Sequence, residues 1–305
     1  MDNKRSFLEW KFILMMILAV IVWACAFPFI KIALKELSFV NLTIMRFLVV
    51  SITFLLILIF QRKRFTKLQK KDVFPIFLIG FFGVTLYHLG LNYGEQFISA
   101  GAASLIIATI PVQILVLATI FLKEKIEGLK ILGIIISLIG VVIISLFGKK
   151  DTSIEINYLS GAIAVLIAAF MGAIYTVAGK KLLERYSGLS LTVYAMLFGS
   201  LCLIPLVNNS LFEEVSKMSL TTWFAIVFLG IFSTVIGYVI WYNALKIKNA
   251  SEISIYLYAI PVISTIISYI LFKDEITMMF ILGGILVIVG LIIVNKKKTK
   301  NFNKD

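Results

Sequence analysis

Apolar runs long enough to cross a lipid bilayer, about 17–25 residues each, recur ten times along this chain. They fall at about 12–32, 41–60, 73–94, 100–122, 129–147, 158–179, 190–208, 221–243, 251–272 and 277–295. A 305-residue soluble fold has too little interior to hide ten such runs. Composition agrees, with 61% apolar residues, 15% charged residues and a mean hydropathy of +1.04. Backbone amides in hydrocarbon find partners only within their own segment, so each run is read as a helix. The first run has Lys4 and Arg5 before it and an Ala24-Cys25-Ala26 stretch that imitates a leader-cleavage site. Its apolar character continues through Phe27-Pro28-Phe29-Ile30 and nine further runs follow, so it is read as a true span.

The second half repeats the first at an offset of 150 residues. Gly80 pairs with Gly230, Ala100 with Ala250, Ser104 with Ser254, and Pro111-Val112 with Pro261-Val262. Lys123-Glu124 pairs with Lys273-Asp274, and Gly133 and Gly140 pair with Gly283 and Gly290. Five spans per copy is an odd number, so the second copy enters the membrane from the opposite side. The expected fold is therefore an all-α integral membrane protein of ten transmembrane helices in two inverted five-helix repeats. Residues 12–147 form the first repeat and 158–295 the second, flanked by tails at 1–11 and 296–305. Inverted repeats of this kind build secondary transporters with a site near the midplane between the halves.

The 29 Lys and Arg residues crowd one set of connections and both tails. The exceptions are Lys31, Lys35, Lys149, Lys150, Lys217 and Lys273, with Arg46 inside a span. The positive-inside rule then places both termini in the cytoplasm. The net charge of +13 is thereby a topology signal, with contact to anionic lipid an open alternative for the tails, and no nucleic-acid face is implied. Cys25 and Cys202 lie in separate apolar runs and read as packing residues.

Individual residues narrow the reading further. Ile236-Gly-Tyr-Val-Ile-Trp-Tyr-Asn-Ala-Leu-Lys246, then Pro261, Phe272-Lys-Asp-Glu-Ile276, Gly283 and Gly290, resemble the EamA family of the drug/metabolite transporter superfamily. The first half supplies Trp23, Lys31, Met45-Arg46-Phe47, Pro111, Lys123-Glu124, Gly133 and Gly140 in the family order. The chain departs at Asp274-Glu275 and at Tyr194-Ala195, a region that holds no counterpart of Arg46. The resemblance implies a carrier of the bacterial inner membrane, often an exporter of amino acids or related metabolites. It also implies that the third and eighth helices line a central cavity.

Thr85-Leu-Tyr-His-Leu-Gly-Leu-Asn-Tyr93 contains the single histidine of the chain. His88 and Asn92 are four residues apart and share a helix face, and the offset sets Tyr238 and Tyr242 at their places in the eighth helix. Polar side chains facing lipid are costly, so the stripe is read as a cavity wall, with packing against a neighbouring helix as the alternative. The candidate substrate-binding set is Trp23, Arg46, Tyr87, His88, Asn92, Gln113, Tyr238, Trp241, Tyr242, Tyr256 and Tyr258. Thr109 and Ser264 are further polar candidates. Arg46 has two open roles: snorkelling to the interface or gripping a solute carboxylate with its planar fork. Pro111 and Pro261 interrupt the fourth and ninth helices at equivalent places, as hinges or as fixed kinks. Glu124 and Asp274 read as ties of short turns, the glycine pairs as a helix-packing face or a dimer seam.

No carboxylate reads as deep enough for a proton or sodium site, which leaves His88 as the expected proton carrier if transport is coupled. The chain has no phosphate-binding glycine loop, no HExxH and no nucleophile motif, and no cofactor or metal is implied. The expectation is a secondary transporter, monomer or homodimer, exporting an amino acid or related metabolite by alternating access. The alternatives are import or exchange of a nucleotide-like or vitamin-like metabolite, a membrane enzyme, and a non-transporting scaffold.

Overall fold

A computed structural model describes residues 2–122, 128–147, 156–248, 253, 255–274 and 276–295. Lys123, Glu124, Lys125, Lys149, Lys150, Ala250, Ser254, Glu275 and the tail 296–305 lie outside the described residues, so the sequence readings placed on them have no structural counterpart. Among the described residues, seven helices are long and apolar enough to cross a membrane. Three shorter apolar helices, Ile131–Ile144, Tyr256–Phe272 and Met278–Gly290, complete the ten.

The first span is Asp2–Ala33 and the second Phe39–Phe60. Residues expected as an N-terminal tail are thus continuous with the first helix. The third span joins Val73–Gly80, a π-helical segment Phe81–Leu86 and Tyr87–Phe97. The eighth repeats this plan as Leu220–Val227, π-helical Phe228–Ile236 and Gly237–Ile247. The fourth breaks into Ala100–Ile107 and Ile110–Leu122, and the ninth into a 3-10 turn Ile255–Tyr258 and Ala259–Phe272. Pro111 and Pro261 each sit in the first turn after the break, where a missing amide costs no helical hydrogen bond. The remaining spans are Gly128–Phe147, Ile156–Leu182, Gly188–Leu201 and Met278–Asn295.

Serine caps begin four of these helices. The side chains of Ser38, Ser99, Ser187 and Ser219 accept from Asn41, Ala102, Ser190 and Thr222 backbone amides, satisfying donors that the first turn leaves free.

Helix packing carries the inverted symmetry. The first span packs on the eighth as the sixth packs on the third; the second meets the eighth as the seventh meets the third; the first meets the ninth as the sixth meets the fourth. Exchanging each span for its repeat mate converts every one of these contacts into another. The fifth and tenth spans pair with each other. A Cβ on Gly140 would stand 2.6 Å from the Gly283 carbonyl oxygen, and one on Gly290 would stand 2.5 Å from that of Gly133. Those glycine faces are consumed within one chain, so they are not available as the dimer seam the sequence left open.

Candidate functional site

The two π-helical segments matter because an extra residue per turn rotates the remainder of the helix and frees local hydrogen-bonding groups. Thr234 donates its hydroxyl to the Leu229 carbonyl five residues back, at 2.7 Å. Its oxygen is then free to accept, and the Arg46 Nε donates to it at 2.9 Å. Arg46 Nη2 reaches the Ser233 hydroxyl at 3.5 Å, while Nη1 has no partner. The guanidinium is 3% exposed. Burial at this depth removes the snorkelling role and leaves a cation held by two hydroxyls of the opposite repeat.

Beside it lies a cavity of about 90 Å³, partly open at its rim. The first repeat lines it with Trp23, Arg46, Tyr87, His88 and Leu91, the second with Tyr175, Thr176, Ser233, Tyr238 and Trp241. Trp23 donates its indole N–H to the Ser233 carbonyl at 2.9 Å and packs edge-on against Tyr238 and Trp241, at 5.7 and 5.5 Å between ring centres. His88 stands between Phe47 and Tyr87, each at 4.7 Å, and 6.2 Å from Tyr238. Its Nδ1 lies 2.8 Å from the Val84 carbonyl. A carbonyl only accepts, so Nδ1 carries the proton there and Nε2 is the acceptor of the neutral ring.

Of the residues singled out from sequence, the structure brings together Trp23, Arg46, Tyr87, His88, Tyr238 and Trp241 around this space. Asn92 does not line it: its amide donates to Thr43 of the second span at 2.9 Å, fully buried. Tyr242 turns away as well, stacked on Tyr175 at 4.7 Å with its hydroxyl donating to the Tyr175 carbonyl at 3.1 Å. Gln113 bonds Thr109 at 3.1 Å, Tyr256 meets Phe12 edge-on, and Tyr258 is half-buried; none is on the cavity wall. Thr109 caps the Ile106 carbonyl, and Ser264 is buried away from the wall. Asp274 accepts from the Ser268 hydroxyl at the end of the ninth span, which is a turn tie of the expected kind.

Sequence reasoning missed Ser233, Thr234, Tyr175 and Thr176. The available signal was adjacent hydroxyl residues inside apolar runs, Ser-Thr at 233–234 and Tyr-Thr at 175–176. It also misjudged Glu95, which is fully buried with neither carboxylate oxygen hydrogen-bonded. A carboxylate near the end of its span is therefore enclosed by neighbouring helices, which spacing along one helix does not reveal.

Both ends of the bundle carry ties between the repeats. On the face rich in Lys and Arg, Arg185 grips Asp72 at 3.2 and 2.5 Å, and the Tyr186 hydroxyl donates to Asp72 at 3.0 Å. Burial pushes the Tyr186 phenol up from its ordinary range. On the opposite face, Glu214 accepts from the Ser38 amide at 2.9 Å and from Asn41 at 2.8 Å, and Glu36 accepts from the Ser219 amide at 2.8 Å. The Ser219 amide holds the Glu36 carboxyl below the usual carboxylate range.

The two-copy plan recurs among known proteins. The model of the EamA-like transporter family matches twice, at residues 10–146 and 159–296. An uncharacterized transporter of Archaeoglobus fulgidus is 38% identical over 283 residues, covering 92% of this chain and 97% of its own. The Bacillus subtilis uncharacterized transporter YdfC is 34% identical over 88% of this chain and 86% of its own. A probable terminal-alkyne amino-acid exporter of Streptantibioticus cattleyicolor is 29% identical over 92% of each chain. One solved crystal structure superposes with a TM-score of 0.62 at 16% identity, over 93% of this chain and 96% of that one, a likeness of fold.

Proposed function

This chain belongs to the EamA-like transporter family, and we propose that it exports an amino acid or closely related carboxylate across the inner membrane. One observation carries the reading: a fully buried arginine, Arg46, presents an unpaired Nη1 beside a cavity, with no ion pair to it among the described residues. An unpaired buried guanidinium N–H is costly, and a planar carboxylate is the ligand that satisfies it best. The aromatic rings of Trp23, Tyr238 and Trp241 offer a surface for the rest of the solute, their polar tips fixing its orientation. The name of the Streptantibioticus relative supports the same class of solute.

In this reading the repeats 12–147 and 158–295 rock against each other about the breaks at Pro111 and Pro261, alternately loosening the Asp72–Arg185 tie on one face and the Glu36 and Glu214 ties on the other. The Lys- and Arg-rich face, with both termini, lies in the cytoplasm. The test is counterflow in proteoliposomes with a panel of labelled metabolites. Saturable exchange of amino acids that is lost in Arg46→Gln is the expected result; exchange confined to uncharged or nucleotide-like solutes overturns it.

A further inference from the structure

Among the described residues, one buried carboxyl stands apart from the ties above: Glu95. Its carboxyl is fully excluded from solvent and neither oxygen has a hydrogen-bond partner. His88, Leu91 and Glu95 recur at i, i+3 and i+7, so they lie along one face of the third span, and His88 and Leu91 line the cavity. Glu95 stands about 10 Å beyond His88 along the helix axis, one turn past Leu91. Glu95 itself is not on the cavity wall; Leu91, one turn before it, is.

Among the described residues, the charged groups that act on it come from three different elements. Lys31 belongs to the first span, Arg46 to the second, and Asp274 to the end of the ninth; all three act on Glu95 electrostatically. Tyr158, at the start of the sixth span, is within the field of Asp274. The half of the fourth span that packs nearby, Ala100–Ile107, contributes no titratable side chain. On its own helix the titratable neighbours toward the cavity are His88 and Tyr87.

An ionised carboxylate buried with both oxygens unpaired costs several kcal/mol. The field of Lys31 offsets part of that cost, and a proton removes the rest without further ligands. Resting on the transport reading above, we propose that Glu95 is the proton-binding site of the transport cycle, linked through Arg46 to solute binding in the cavity. When Glu95 holds a proton, the field of Arg46 is uncompensated and grips a solute carboxylate. When Glu95 is ionised, it competes for that field and the solute is held less well. Proton binding and solute binding then favour each other by the same factor, as reciprocal linkage requires, so the two leave the cell together, down the gradient of the solute. His88 has its Nδ1–H committed to the Val84 carbonyl, and its variant is the control that separates it from Glu95.

The test uses purified full-length protein in lipid and two readouts. Infrared difference spectra across a pH titration are expected to show one carboxylic C=O band that titrates in the wild type and in His88→Gln but is lost in Glu95→Gln. The amide of Glu95→Gln mimics the protonated acid, and unchanged thermal unfolding shows that the fold is kept. In the second readout, the affinity for a labelled amino acid falls as pH rises in the wild type and is independent of pH in Glu95→Gln. A band that survives in Glu95→Gln, a wild type with no titrating band, or solute binding that keeps its pH dependence in Glu95→Gln overturns the proposal. If no amino acid binds the wild type, the solute assignment fails, and the infrared band alone decides the role of Glu95.

Discussion

The two repeats share a backbone plan and divide the chemistry unequally. At the offset of 150 residues, Arg46 corresponds to Met196, His88 to Tyr238, Asn92 to Tyr242, and Glu95 to Leu245. All four positions are buried or nearly so in both copies. The first repeat places three ionisable groups and an amide there, while the second places two tyrosines and two aliphatic side chains. Helix packing depends on shape and small residues, which the copies share; solute recognition depends on a few polar atoms, which they do not. An inverted pair can therefore move as mirror partners while only one partner carries the charge.

Making the repeats more alike is the most direct way to break this division. Arg46→Met gives the first repeat the residue of the second and is expected to weaken carboxylate binding by about 2–5 kcal/mol, the usual cost of removing one partner of a buried charged contact. Counterflow at increasing solute concentration reads this; an unchanged affinity would separate Arg46 from the site. Thr234→Val copies Val84 of the first repeat and removes the acceptor that holds the Arg46 Nε. A loss of about 1.5–3 kcal/mol is expected for a hydrogen bond to a charged group, visible as a lower thermal midpoint in detergent and a weaker solute affinity together.

Smaller effects sharpen the comparison away from the cavity. Tyr242→Phe keeps the stack on Tyr175 and deletes one neutral hydrogen bond, worth about 0.5–1.5 kcal/mol of stability. Solute affinity is expected to hold, because the ring is off the wall; a change in affinity with unchanged stability would return Tyr242 to the site. The smallest effect belongs to Glu36. Its carboxyl titrates below the ordinary value in the folded protein, so its contribution is complete above about pH 4.3 and is lost as pH falls through the depressed folded value. Faster hydrogen exchange of the Ser219 amide on acidification, absent in Glu36→Gln, is the corresponding measurement.

Much of the site was legible in sequence, with an instructive error in its stripe. Four-residue spacing assigned Asn92 beside His88 and Tyr242 beside Tyr238. In both repeats the wall instead follows the three-residue neighbour: Leu91 after His88 and Trp241 after Tyr238. Residues three and four positions on lie on either side of the helix face that contains the first one. Which side meets the cavity depends on rotation about the helix axis, and here the polar member found a partner elsewhere, Asn92 on Thr43 and Tyr242 on the Tyr175 carbonyl. A sequence pattern with period 3.6 does not contain that rotation.

By itself the sequence determined the ten spans, their inverted pairing, the break near Pro111 and Pro261, and the family, because these follow from hydrophobic length, the parity of span number and repeated residues. Tertiary structure alone decided that Arg46 is buried and held by two hydroxyls of the other repeat, that the glycine seam is internal, and that Glu95 is enclosed without a partner. Each of these outcomes depends on what another helix, often more than a hundred residues away, sets opposite the side chain. Length and periodicity report how a helix meets lipid; only packing reports which polar atom meets which.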